Sequence, residues 1–305
     1  MANDWGTQDI GDQHGKRVVV TGANSGIGYY TALELGRAGA DVVVACRDPG
    51  RGQEALGKLQ AEAPGATFRL ESLDLADLRS VRAFADRYLA SGAPLDVLIN
   101  NAGLMMPPTR ELTADGFERQ FGTNHLGHFA LTGLLLPALA KSRAPRVVTV
   151  SSTAVMFGKL SLENLQSEKR YRPMKAYAQS KIANLEFMIE LGRFAPWLVS
   201  VAAHPGATIS NLQKHAFQWT TKMMGQPTPR GALPTLRAAV APVPSGTYFG
   251  PKHLFQMRGA PIEIAIPKHA IDPTRDRALW EASERLTGVV YKPIAPQKPA
   301  PTATA

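Results

Sequence analysis

Tyr177 and Lys181 stand four residues apart in AYAQSK. On a helix, residues i and i+4 lie side by side, so the two side chains share a face. A phenol at its ordinary pKa of about 10 is a poor base at neutral pH. A fixed ammonium one turn away lowers the cost of ionising it, which makes the phenol a usable proton donor and acceptor. Such a pair suits the proton half of an alcohol–carbonyl interconversion. The hydride half needs a nicotinamide, and the chain opens with VVVTGANSGIG, a segment of the kind that holds a dinucleotide.

In that segment Thr21-Gly22-Ala23-Asn24-Ser25-Gly26-Ile27-Gly28 follows a strand-like run and opens a helical one. This is the context in which glycines mark a phosphate site at a helix N-terminus. Gly22 permits the tight turn, Gly26 lets the backbone approach a pyrophosphate, and Gly28 allows close helix–strand packing. The second strand-like run ends in Ala45-Cys46-Arg47-Asp48. In a dinucleotide fold that end faces the adenosine ribose. An acid there would hold the 2′-hydroxyl, whereas Arg47 suits a 2′-phosphate. Asp48 weakens the contrast, but the reading favours NADP over NAD.

These residues need a frame to position them. Strand candidates are 17–22, 41–46, 67–73, 95–100, 146–152 and 198–206, with helical periodicity between them, including a long stretch from Asp115 to Ala140. Apolar strands alternating with amphipathic helices predict a parallel sheet covered on both faces. The expected fold class is therefore α/β, one doubly wound Rossmann-type sheet with helices on both faces. Past His204 the pattern degrades; residues 230–241 read as helix and 246–250 as a last strand. The expected plan is an N-terminal extension (1–14), a single oxidoreductase domain (15–290) with a substrate lid at about 207–230, and a Pro- and Ala-rich disordered tail (291–305). Leu212, Phe217, Trp219, Met223 and Met224 would give that lid an apolar, adaptable face for a bulky apolar aldehyde, ketone or alcohol.

Composition excludes several classes. The 305 residues are 44 % hydrophobic and 19 % charged, as in an ordinary globular chain. The single cysteine, Cys46, lies in the apolar run VVVAC and reads as a buried structural thiol in a reducing compartment. No apolar run reaches the 18 residues expected of a membrane span, and no secretory signal is visible at the start, so a cytoplasmic location is expected. The excess of 34 Lys and Arg over 25 Asp and Glu is scattered, without a basic run or recognition module, so nucleic acid is not the expected partner. His125 and His128, three residues apart, lack further residues spaced to complete a metal site and read as core or interface histidines.

Over roughly residues 15–250 the chain resembles the short-chain dehydrogenase/reductase superfamily. Thr21 to Gly28 fits its TGxxxGxG motif, Asp74-Leu75 the dipeptide near the adenine, and Asn100-Asn101-Ala102-Gly103 its NNAG. Asn124, Ser152, Tyr177 and Lys181 match its Asn-Ser-Tyr-Lys set, and His204-Pro205-Gly206 the segment beside the nicotinamide. TGANSGIG, ACRD, FGTNHLGHF and LENLQSEKRY ahead of YAQSK resemble retinol-dehydrogenase-like members and their bacterial relatives. Ser210 fills a position usually held by Thr or Ser, in the unfamiliar setting ATISNL, and an N-terminal anchor like that of the vertebrate retinol enzymes is not expected.

The resemblance implies an NAD(P)-dependent enzyme in which Tyr177 exchanges the proton and Lys181 stabilises the phenolate and holds the nicotinamide ribose. Ser152 would polarise the substrate oxygen, Asn124 would anchor a water linking Lys181 to solvent, and Ser210 would bind the carboxamide. Gly22, Asn24, Ser25, Gly26, Ile27, Gly28, Arg47, Asp74, Leu75, Asn101, Ala102, Gly103, Pro205 and Gly206 would complete the cofactor site. The resemblance implies a dimer or tetramer as readily as a monomer. The alternative function is a non-catalytic dinucleotide sensor or interaction protein on the same fold, a class that typically loses the tyrosine or lysine kept here.

Overall fold

A computed structural model describes residues 4–208 and 225–296. The β-branched runs form β1 (Arg17–Thr21), β2 (Asp41–Cys46), β3 (Thr67–Ser72), β4 (Val97–Asn100), β5 (Arg146–Val150) and β6 (Val199–Ala203), followed by β7 (Tyr248–His253) and β8 (Arg258–Glu263). They make one sheet in the order β3-β2-β1-β4-β5-β6-β7-β8, parallel except where β8 folds back on β7. The helices are α1 (Gly26–Arg37), α2 (Pro49–Glu62), α3 (Leu78–Ala90), α4 (Gly127–Leu139), α5 (Pro173–Phe194), α6 (Thr228–Val240) and α7 (Pro273–Thr287). This is the doubly wound α/β architecture.

Alternate residues of a strand point to opposite faces. Val18 and Val20 of β1 join a core with Ala32 and Leu33 of α1 and Leu236 of α6. Val19 joins the other core, with Phe84 of α3 and Phe129 and Leu131 of α4. Both faces are buried, which is why the strands read as continuous apolar runs. Strand order reverses at β1, which has β2 on one side and β4 on the other. The crevice beyond their C-terminal ends is where such sheets bind ligands.

The structure departs from the sequence reading in several places. The predicted helix from Asp115 starts only at Arg119 and passes through a π-helical stretch, Gly122–Leu126, before α4. β8 escaped notice because it is an edge strand carrying Gly259 and Pro261, residue types that weaken a strand signal. Helix α7 was also missed, although Asp272 caps it by accepting from Thr274 N and Arg275 N, and Gly288 ends it at φ 64°. The tail boundary at 291 falls too early. Tyr291 is buried, 4.4 Å from Trp280 of α7 between ring centroids, and its hydroxyl donates to Phe129 O at 2.7 Å. At the other end Ile10 enters the core beneath β1 and β2, so part of the extension packs on the sheet. Among the described residues no helix is long and apolar enough to cross a membrane.

Candidate active site

The loop after β1 is shaped by places where no side chain fits. A Cβ on Gly22 (φ 68°) would lie 3.0 Å from Ala102 Cα, and one on Gly28 would lie 2.5 Å from Asn101 Nδ2 and 2.6 Å from Gly22 O. Gly26 also has positive φ, but the space before it is open. Hydrogen bonds fix the ends of β1 and β4 together: Asn101 N and Ala102 N each donate to Thr21 Oγ1 at 2.9 Å, and Asn101 Nδ2 donates to Thr21 O at 2.7 Å. Asn24 and Ile27 are half-buried beside this loop, and Ser25 is exposed.

Helix α1 begins at that opening with its N-terminal donors unclaimed. Its N-cap, Ser25, makes no side-chain cap, and its first turn holds no acid, whereas Asp48, Asp77 and Asp272 cap α2, α3 and α7. Free N–H groups facing open space at a positive helix end fit the phosphates of a dinucleotide. Arg47 lies exposed at the end of β2. Asp48 beside it is occupied: Oδ1 accepts from Arg51 N at 3.0 Å as the cap of α2. The acid that complicated the reading of Arg47 therefore has a local structural role. Asp74 closes a turn by accepting from Ala76 N, and buried Leu75 packs so closely on the start of α4 that a Cβ on Gly127 would lie 2.4 Å from its carbonyl.

The other wall comes from β5 and α5. Lys181 Nζ and Asn184 Nδ2 both donate to Val150 O at 3.0 Å, and Ser151 Oγ donates to Lys181 O at 2.9 Å. This fixes the first turns of α5 against the end of β5. Of the two serines, Ser151 is buried and donates to Lys181 O, while half-buried Ser152 accepts from Ala154 N and presents the hydroxyl that lowers the pKa of the Tyr177 phenol. Lys181 Nζ lies 5.9 Å from the Tyr177 ring centroid. Sequence spacing leads one to expect the ammonium to make the phenol more acidic. Instead burial pushes the phenol above its usual pKa and the Ser152 hydroxyl pulls it back, while burial brings Lys181 down to about 8.

Asn124 sits in the π-helical stretch with its side chain fully engaged. Nδ2 donates to Leu104 O and Ser180 Oγ at 3.0 Å, and Oδ1 accepts from Leu104 N at 2.9 Å. The Cβ position of Gly103 would be 3.1 Å from Asn124 Oδ1 and 3.5 Å from Lys181 Nζ, so these groups border one space at the end of β4.

Sequence reasoning missed His128 as part of this arrangement. Its Nδ1 lies 3.0 Å from Asn124 O and its Nε2 lies 2.9 Å from Thr21 Oγ1. Facing a carbonyl, Nδ1 carries the proton, so Nε2 accepts from the Thr21 hydroxyl. Burial and the nearby Lys181 keep the ring neutral, with its pKa lowered to about 4. One chain of hydrogen bonds thus runs from the amides of Asn101 and Ala102 through Thr21 and His128 to Asn124. The signal was available in the i, i+4 spacing of Asn124 and His128. His125 goes elsewhere, to Ser283 of α7 at 2.9 Å.

After β6, buried His204 faces Gln256 Oε1 through Nε2 at 3.2 Å and accepts from Gly206 N. Pro205 O accepts from Thr208 and Gln226, and a Cβ on Gly206 would meet Met257 O at 2.3 Å. Ser210 and the apolar residues Leu212, Phe217, Trp219, Met223 and Met224 lie outside the described residues.

Residues 16–221 match the model of the short chain dehydrogenase family. It belongs to that family. The chain is 44 % identical over 290 residues to retinol dehydrogenase 12 of Mus musculus, covering 91 % of this chain and 88 % of that one. It is 40 % identical over 304 residues to the polyprenol dehydrogenase of Mus musculus, covering 94 % and 88 %. Among solved structures it is similar to an uncharacterized protein from Mycobacterium Paratuberculosis, at 42 % identity and TM-score 0.82 over 95 % of this chain and all of that one. A short chain dehydrogenase from Shigella flexneri, solved with NADP, matches at 25 % identity and TM-score 0.63 over 79 % and 98 %. This short-chain dehydrogenase is a retinol-dehydrogenase-like member of the family and an NAD(P)-dependent oxidoreductase that interconverts alcohols and carbonyls.

Proposed function

We propose that the chain is an NADP(H)-dependent oxidoreductase acting on a bulky apolar aldehyde, ketone or alcohol, with Tyr177 Oη exchanging the proton. The observation that carries this reading is that Lys181 Nζ and Asn124 Oδ1 border one space before Gly103, with the ammonium 5.9 Å from the Tyr177 ring centroid and the Ser152 hydroxyl acting to lower the phenol's pKa. When bound, the nicotinamide supplies or takes the hydride. Gly22, Gly26 and the N-terminus of α1 would hold the phosphates, with Asn101, Ala102 and Gly103 along the floor. Arg47 would face a 2′-phosphate, free of competition from Asp48.

The residues divide the remaining work. Tyr177 Oη gives its proton to the carbonyl oxygen in reduction and takes it from the alcohol in oxidation. Ser152 Oγ hydrogen-bonds the same oxygen and polarises it. Lys181 Nζ, held by Val150 O, keeps a cation beside the phenol while its pKa stays near 8, and Asn124 fixes the loop at Leu104 that borders them. The lid proposed at 207–230 and the carboxamide role of Ser210 belong to the same reading. A bulky apolar substrate is supported by relatives named for retinol and polyprenol, both long apolar alcohols.

NADPH and NADH titrated by fluorescence, then absorbance followed with a panel of aldehydes and ketones, test the proposal. Tyr177→Phe is expected to keep dinucleotide affinity and to lose about 10²- to 10⁴-fold in kcat. Undiminished turnover in that variant would refute the proton donor. A preference for NADH unaltered by Arg47→Ala would refute the cofactor choice.

A further inference from the structure

Five large apolar side chains stand in water at one edge of this molecule. β7 runs parallel to β6, so the turn beyond its C-terminal end leaves the sheet at the edge where β1, β4 and β5 end and the crevice opens. That turn exposes Leu254 and Phe255, the latter to 92 %. Met156 and Phe157, also 92 % exposed, follow β5, and exposed Met174 opens α5 one turn before Tyr177.

The turn does not display Phe255 by default. Leu254, Phe255 and Gln256 have φ of 50°, 52° and 65°, three successive non-glycine residues in the left-handed region that L side chains disfavour. It is held by bonds to the segment after β6: Met257 O accepts from Ala207 N at 2.9 Å, and Gln256 Oε1 meets His204 Nε2. The fold thus holds an aromatic ring in solvent against the backbone's own preference.

Cations flank both protrusions. Residues 157–175 hold Lys159, Lys169, Arg170, Arg172 and Lys175 against only Glu163 and Glu168. All five cations are exposed and, among the described residues, none of them makes an ion pair. Beside the β7–β8 turn, Arg258 is exposed and Lys252 lies 3.5 Å from Asp4.

We infer that this edge docks on an anionic lipid surface, with Phe157 and Phe255 entering the interface and the flanking cations meeting the headgroups. Separate apolar tips flanked by exposed cations, unpaired among the described residues along 157–175 and at Arg258, suit a fluid apolar layer bounded by negative charge. A stable protein partner would need a continuous complementary face of about 800 Å² on each side, whereas among the described residues the exposed aromatic rings stand singly, on two different loops. No spanning helix is required. The inference goes beyond the proposed reaction and does not depend on it, although it would place the mouth of the crevice against a reservoir of apolar molecules.

The test is sedimentation of the full chain with vesicles of phosphatidylcholine alone or mixed with phosphatidylglycerol, at low and high salt. The chain is expected to sediment with the mixed vesicles, less so at high salt, and hardly at all with neutral ones. Lys169→Ala and Arg170→Ala together should weaken binding about 25-fold, at about fivefold per cation. Phe157→Ser with Phe255→Ser should weaken it about tenfold or more; both positions are exposed, and circular dichroism checks that the variants fold. A chain that stays in the supernatant with anionic vesicles overturns the inference. So does binding unchanged by the phenylalanine variants, which would be charge attraction alone, or a dimer in solution that those variants dissolve, which would make a second copy the occupant.

Discussion

The two ends of the crevice are built on opposite principles. The end below β1 is made by exclusion: Gly22 and Gly28 leave no room for a Cβ, and the polar groups of Thr21 and Asn101 are hydrogen-bonded to each other. The end below β5 is made by burying groups that would rather be wet. Burial raises the Tyr177 phenol and lowers the Lys181 ammonium and the His128 ring. One end is closed by packing, and the other holds ionisable groups in place at the expense of stability, the pattern expected of a candidate functional site.

Gly28→Ala is the harshest test of the first end. Its Cβ would sit 2.6 Å from a backbone oxygen, so the loop itself must move. A shift of that order should cost about 100-fold in dinucleotide affinity and about 1–3 kcal/mol in stability, read by fluorescence titration and urea unfolding. Equal affinity in the variant would show that the loop is not the rigid cradle described here.

Lys181→Met should do the reverse at the second end. At neutral pH the folded chain holds a buried ammonium whose pKa has fallen from 10.5 to about 8, so the unfolded chain binds that proton more tightly. Removing the charge should stabilise the fold by about 1–3 kcal/mol, because Val150 O keeps its bond from Asn184. In the parent this penalty is present below pH 8 and is relieved as pH rises from 8 to 10.5, so the gain should shrink over that range. Turnover should collapse meanwhile. A destabilised variant would mean that Lys181 is structural, and the contrast between the ends would fail.

His128 is where the ends join, and its replacement should affect both. His128→Phe removes the bonds the ring makes to the Thr21 hydroxyl and the Asn124 carbonyl, leaving Ile99 O at 3.3 Å as the hydroxyl's remaining acceptor, at about 1–2 kcal/mol. A merely structural loss would leave the pH dependence alone. The parent ring, neutral when folded and ordinary when unfolded, contributes stability that is present above pH 6.5 and lost as pH falls towards 4. Between those values the variant should show a pH slope of stability shallower by up to about 1.4 kcal/mol per unit, and KM for the dinucleotide and kcat should both worsen. An unchanged slope would remove His128 from the circuit.

The same contrast explains what could be read from residues alone. Glycine spacing reports exclusion directly, and β-branched runs report a sheet buried on both faces, so the architecture and the loop after β1 were legible. The spacing of Tyr177 and Lys181 reports adjacency but not solvent, and solvent decides which way each pKa moves. The role of His128 needed the strand order, which brings the end of β1 beside the segment before α4. Helix α7 was legible in Asp272-Pro273 and Gly288, but its packing partner Tyr291 sits beyond the cap in a stretch whose proline content suggested disorder.

Gly57 sharpens the comparison from the other side. It lies exposed in the middle of α2, with nothing within 4 Å of where a Cβ would point and no positive φ. There glycine serves no exclusion; it only adds freedom to the unfolded chain. Gly57→Ala should therefore stabilise the protein by about 0.4–1 kcal/mol, seen as a small rise in the urea midpoint with unchanged slope and unchanged dinucleotide affinity. Since Gly28→Ala and Gly57→Ala add the same methyl group, opposite signs would isolate the effect of position. If Gly57→Ala also weakened dinucleotide binding, the sensitivity of this fold to added methyls would be general and not a property of the crevice.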